Sequence, residues 1–208
     1  MKNKQAEMVK RMSDKELLYH LYVSQLLFFL VAVVLAFFLY ERWNEFLLLL
    51  EWDIEEVFII GSFVGIAVVL IDLMLMKYVP RHLMDDGGIN EKMFQKRSVI
   101  HIVGLALLIA SVEELLFRGV IQTHFGIWIA SIIFAIMHIR YLHKWLLLIS
   151  VILLSFLLGF LYEWTENLLV TIWAHFIIDV LLALKIRSEY IKKTDNGEVS
   201  EDYEERDE

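Results

Sequence analysis

Residues 99–120 read VIHIVGLALLIASVEELLFRGV. Apart from His101, the first dozen are apolar enough to lie in lipid, yet the stretch closes on two glutamates and an arginine. A carboxylate at the centre of a bilayer costs about 2.5–3.5 kcal/mol on insertion scales. The run matches the roughly 20 residues that a helix needs to cross hydrocarbon. Read as a membrane helix, it decides the fold class and turns Glu113, Glu114 and Arg118 into charges that need a reason.

Working outward, five more runs have similar length and character: 21–40, 57–76, 122–139, 145–162 and 168–185. They are long and do not alternate, so helices are expected rather than a barrel. Of the 208 residues, 59% are hydrophobic, and mean hydropathy is +0.60. Soluble domains sit near roughly 45–50%. The single proline, Pro80, suits a chain of mostly uninterrupted helix. The expected fold is therefore all-α, a polytopic membrane bundle of about six transmembrane helices. Its divisions are a basic N-terminal segment (1–20), two helices with a loop (21–98), a four-helix core (99–187) and an acidic disordered tail (188–208).

Charge and composition exclude several functions. Most of the net charge of −8 lies in the terminal DNGEVSEDYEERDE, a composition that favours disorder. No basic patch with interleaved aromatics appears, which argues against nucleic acid. The absence of cysteine rules out disulfides, thiol catalysis and thiolate metal sites. Loops rich in Lys and Arg alternate with loops poor in them, so both termini are expected to be cytoplasmic. The expected location is the cell membrane, multi-pass, with the lipid bilayer itself as a partner. Gly61 and Gly65 in GSFVG read as close packing within one bundle. No internal repeat supports a transporter.

Intramembrane ionisable groups are functional candidates by default. His101 and Asp72 fall near cytoplasmic ends and His124 near the outer end, where side chains reach the interface. The others are organised. Glu114 and Arg118 are four apart and share a helix face, as an ion pair requires. Glu113 lies off that register and is expected to be free; a desolvated free carboxylate suits a general base. FAIMH sets Phe134 over His138, and HFIID sets His175 over Asp179, each one turn apart. A carboxylate beside an imidazole can fix its tautomer. One free carboxylate, two imidazoles and a further carboxylate suit water activation, with or without a metal.

EELLFR (113–118), FAIMH (134–138) and HFIID (175–179) resemble the three motifs of the CPBP family, the CAAX proteases and bacteriocin-processing enzymes also called Abi proteins. The resemblance covers about 99–185 and implies an intramembrane endopeptidase like the type II CAAX prenyl endopeptidases. By that resemblance Glu113 activates water with help from His138, and His175 and Asp179 stabilise the oxyanion or complete the site. Glu114, Arg118 and Phe134 support it. The family leaves cofactors open: water activated by glutamate alone, or zinc held by Glu113, His138 and His175. The implied substrate is a membrane-embedded or membrane-associated protein or peptide. The rival reading is a non-catalytic family member acting in bacteriocin immunity or as a regulatory partner.

Two departures stand out. The third motif ends in Asp179 where asparagine is commoner, and the linker GVIQTHFGIWIASII is short. The short linker sharpens a geometric problem. At ~1.5 Å per residue, Glu113 lies roughly 20 Å from the start of its helix, whereas His138 ends its own. Tilt, or a turn near 119–125 that sinks the next helix deeper, is expected to bring them level.

Overall fold

The computed structural model describes residues 12–84, 86–138, 141 and 144–197, and every regular element among them is helical. In chain order these are α1 (Asp14–Leu39), α2 (Trp43–Leu48), α3 (Glu56–Tyr78), α4 (Arg81–Met84), α5 (Ile89–Phe94), α6 (Val99–Glu114), α7 (Thr123–Met137), α8 (Trp145–Thr165) and α9 (Leu168–Asp195). Between α6 and α7 the helix continues through a π-helical stretch, Leu115–Gln122. Five helical segments are long and apolar enough to cross a membrane: α1, α3, the combined Val99–Met137, α8 and α9.

All six expected runs are helical, and five segments result because two of the runs are joined. The third and fourth apolar runs are one helical segment of 39 residues, broken at Gly126. Gly126 has φ 81° and ψ 166°, a region open essentially to glycine alone. The chain folds back there. Phe117 meets Phe134 edge-on at 4.8 Å, and Val120 and Ile121 share a core cluster with Ala130. Counted along these antiparallel pairs, His138 comes level with Glu113. The descending arm, 127–137, is about 16 Å long, about half a hydrocarbon thickness. Hydropathy registers both arms but not the reversal between them.

Glu113 lies about 20 Å along its helix, as expected, but a neighbouring helix starts much nearer to it. Arg118 contacts Ser155 and Gln122 contacts Gly159, both at an offset of 37 residues. α6 and α8 therefore run parallel, and the start of α8 at Trp145 lies opposite Leu108. Glu113 is only about 8 Å above that level, because α6 begins well below α8. The expected turn exists, placed at Gly126 just beyond the anticipated segment.

Both ends of the bundle depart from the expected limits. α1 starts at Asp14 rather than 21, because Ser13 and Glu16 form a reciprocal capping box; residues 1–11 lie outside the described residues. α9 runs to Asp195 rather than 185, so 188–195 are helical and not a disordered tail. A helix outside lipid needs no apolar residues, and the Lys185–Glu189 pair and Lys192 and Lys193 in the last turn favour it. Residues 198–208 of the expected tail lie outside the described residues. The basic loop 77–98 carries α4 and α5, and α5 buries Ile89 and Met93 against Leu17 of α1.

Gly61 and Gly65 sit in the packing of α3 against α9. A Cβ on Gly65 would lie 2.8 Å from the Ala174 carbonyl oxygen and 2.9 Å from Ile177 Cβ. The small-residue spacing therefore serves packing inside one bundle, and it fixes α9, the helix that carries His175.

Candidate active site

Glu114 and Arg118 form the expected ion pair, with Arg118 Nη1 donating to Glu114 Oε1 at 3.1 Å and both side chains fully buried. The pair is not bidentate. Arg118 turns Nη2 to Ser155, donating to its carbonyl at 3.0 Å and its Oγ at 3.3 Å. The guanidinium carbon also lies 4.9 Å from the Phe134 ring centroid, within cation–π range. One side chain thus ties the π-helical stretch to α8 and to the descending arm. π-Helical turns are frequent at functional sites, and this one follows directly on Glu113 and Glu114.

Glu114 Oε1 accepts a second hydrogen bond, from His175 Nδ1 at 2.8 Å. A carboxylate paired with arginine can only accept, so Nδ1 carries the proton. His175 Nε2 faces Asp179 Oδ2 at 3.6 Å, beyond good hydrogen-bond distance. The carboxylate that orients His175 is thus Glu114 from another helix, not Asp179 one turn away. Asp179 is the more open of the two, its side chain 28% exposed.

Glu113 is buried, at 7% exposure, and is not free as expected: Gln25 Nε2 of α1 donates to its Oε1 at 3.3 Å. His138 ends the descending arm. Its ring lies 4.5 Å from that of Phe134 and stacks at 6.0 Å on Tyr141. His138 Nδ1 donates to the Phe134 carbonyl at 2.9 Å, which makes Nε2 the basic nitrogen of the neutral ring. The motif residues are thus linked in series, from His175 through Glu114, Arg118 and Phe134 to His138.

Among the described residues, no group of three His, Asp or Glu side chains could hold a metal ion. Glu113, His138 and His175 are therefore not gathered as a zinc site in this structure. The remaining polar residues serve locally. His101 bonds Tyr22 at 3.2 Å on the outside of the bundle, and His124 Nδ1 donates to the Val120 carbonyl at 2.8 Å. Asp72 is half-buried on α3.

The sequence reading missed Gln25, Ser155 and Tyr40. The Tyr40 hydroxyl donates to the carbonyl of Gly119 within the π-helical stretch. A search confined to titratable groups passes over an intramembrane glutamine or serine, although each carries a desolvation cost of the same kind.

Residues 95–181 match the family model described as type II CAAX prenyl endopeptidase Rce1-like. The chain is also 56% identical, over 149 residues, to the uncharacterized protein YpbD of Bacillus subtilis (strain 168), an alignment covering 71% of this chain and 79% of that one. No solved structure matches it.

Proposed function

The chain belongs to the type II CAAX prenyl endopeptidase Rce1-like family, a CAAX-protease-like membrane protein, and we propose from that premise that it is an intramembrane endopeptidase. It hydrolyses a peptide bond of a membrane-associated protein or peptide with water activated by Glu113. The observation that carries this reading is the division of labour between two adjacent buried carboxylates. Glu114 is occupied by Arg118 and His175. Glu113 has a neutral amide for its hydrogen-bond partner, so among the described residues no cation is paired with the carboxylate that would receive the proton.

In the reaction, Glu113 removes one proton from water while the oxygen bonds to the substrate carbonyl carbon. The carbonyl electrons move onto its oxygen, forming the oxyanion. His175, held between Glu114 and Asp179, offers Nε2–H to that oxyanion when doubly protonated. Collapse breaks the C–N bond, and the leaving amine takes the proton from Glu113 by way of His138 Nε2. Loop charges support cytoplasmic termini. A Ser200→Cys chain in right-side-out vesicles would then react with an impermeant maleimide only after permeabilisation; labelling of intact vesicles reverses the orientation.

The test uses the full chain in liposomes with internally quenched peptides, with and without a prenylated C-terminal cysteine. Cleavage is expected, and Glu113→Gln abolishes it while leaving the melting temperature within a few degrees. Uncleaved peptides, or cleavage that survives Glu113→Gln, would overturn the reading. A chelator leaves the rate unchanged; loss that zinc alone restores would reassign Glu113 and the histidines as metal ligands.

A further inference from the structure

α1 is mostly a lipid-facing helix, and its buried residues are Leu17, Gln25, Ala32 and Ala36. Ala32 and Ala36 pack on Leu116, Phe117 and Val120 in an apolar cluster. Leu17 packs on α5. Gln25 alone of the four is polar, and it is 4% exposed. A leucine in its place would fill the same contact with α6 at no desolvation cost.

The amide is satisfied at one end only. Nε2 donates to Glu113 Oε1, whereas Oε1 is buried without a hydrogen-bond partner among the described residues. The orientation follows from Glu113, which as a carboxylate can only accept. Gln122 is half-satisfied in the same way, its Nε2 donating to the Gly159 carbonyl and its Oε1 buried without a partner among the described residues, so what sets Gln25 apart is the group it meets. The end that is satisfied is the one that touches the proposed base.

We propose that Gln25 is a positioning residue of the active site, its Nε2 holding the Glu113 carboxylate in place to take a proton from water. The inference rests on the hydrolytic reading above. No proton moves to the amide, so the step balances as before. Gln25 lies outside 95–181, so the site is completed by a helix that the family match does not include.

The experiment uses the full chain in liposomes and the quenched peptide that it cleaves fastest. Gln25→Met, equal in length but without the amide, is expected to lower kcat about tenfold to hundredfold, the usual effect of losing a supporting hydrogen bond. KM should stay within about twofold, and Gln25→Asn should recover part of kcat. Unchanged kcat in Gln25→Met, or equal losses in Met and Asn that follow the melting temperature, overturns the inference. The hydrolytic reading then stands so long as Glu113→Gln is dead; an active Glu113→Gln removes both. A second arm needs no substrate. The chain has no cysteine, so Gln25→Cys with Glu113→Cys is expected to be bridged within one molecule by a short bifunctional methanethiosulfonate. A failure to bridge while each single cysteine is labelled also overturns it.

Discussion

Arg118 shows what one side chain does in a setting without water. It neutralises Glu114, donates to Ser155 and lies against Phe134, so its loss strands a buried carboxylate. Removing one partner of a buried pair costs about 3–5 kcal/mol. Arg118→Met should therefore lower the melting temperature in detergent sharply, and adding Glu114→Gln should recover much of the loss. Equal melting of the two variants would mean that the charge pair is not what holds this region. The Glu114–Arg118 pairing was legible from spacing alone, because four residues is one turn. Its partners across helices were not. His175 takes its orientation from Glu114, 61 residues away, while the sequence-adjacent Asp179 is the weaker contact. Spacing reveals what shares a helix face; which helix that face meets depends on packing that a single sequence does not display.

Among the elements, the hairpin around Gly126 does most to build the site. Six apolar runs were readable from hydropathy and all six are helical, but the third and fourth join as arms of one bent segment. The reversal rests on one residue with φ 81° and no atom within 4 Å of an added Cβ. The strain of any other residue there is therefore conformational and not steric. Gly126→Ala should cost about 1–3 kcal/mol and reduce cleavage, because His138 loses its level with Glu113. Gly104 is the control. It is also open to a Cβ but lies within α6, where alanine is the better helix former. Gly104→Ala should be neutral or stabilise by about 0.4–1 kcal/mol. Thermal unfolding of the two variants decides: matching effects would mean that the backbone at 126 is not under the constraint described.

Taken as a whole, the molecule assembles its site from three bodies that meet by packing and by hydrogen bonds between helices: α1 with Gln25, the bent helix with Glu113 and His138, and α9 with His175. The first two are joined through Ala32 and Ala36 against Phe117 and Val120. α9 is located from its other side by α3, whose Gly61 and Gly65 admit the backbone of Val170 and Ala174. The last contact adjoins His175, so a side chain at 65 acts on the site without touching it. Lipid supplies no hydrophobic force between helices, and small residues that allow close approach carry more of the association. Gly65→Leu must push α9 away from α3, since the obstruction is a carbonyl oxygen 2.8 Å from the new Cβ and not a flexible chain end. We expect a loss of about 1–3 kcal/mol and at least a tenfold fall in cleavage, as His175 Nδ1 moves off Glu114. Phe63→Ala, on the same helix but 74% exposed, should leave both unchanged. Melting temperature and rate measured on the two variants separate the outcomes: if Gly65→Leu retains full activity, His175 does not depend on the seating of α9, and a site shared among three packed bodies is ruled out.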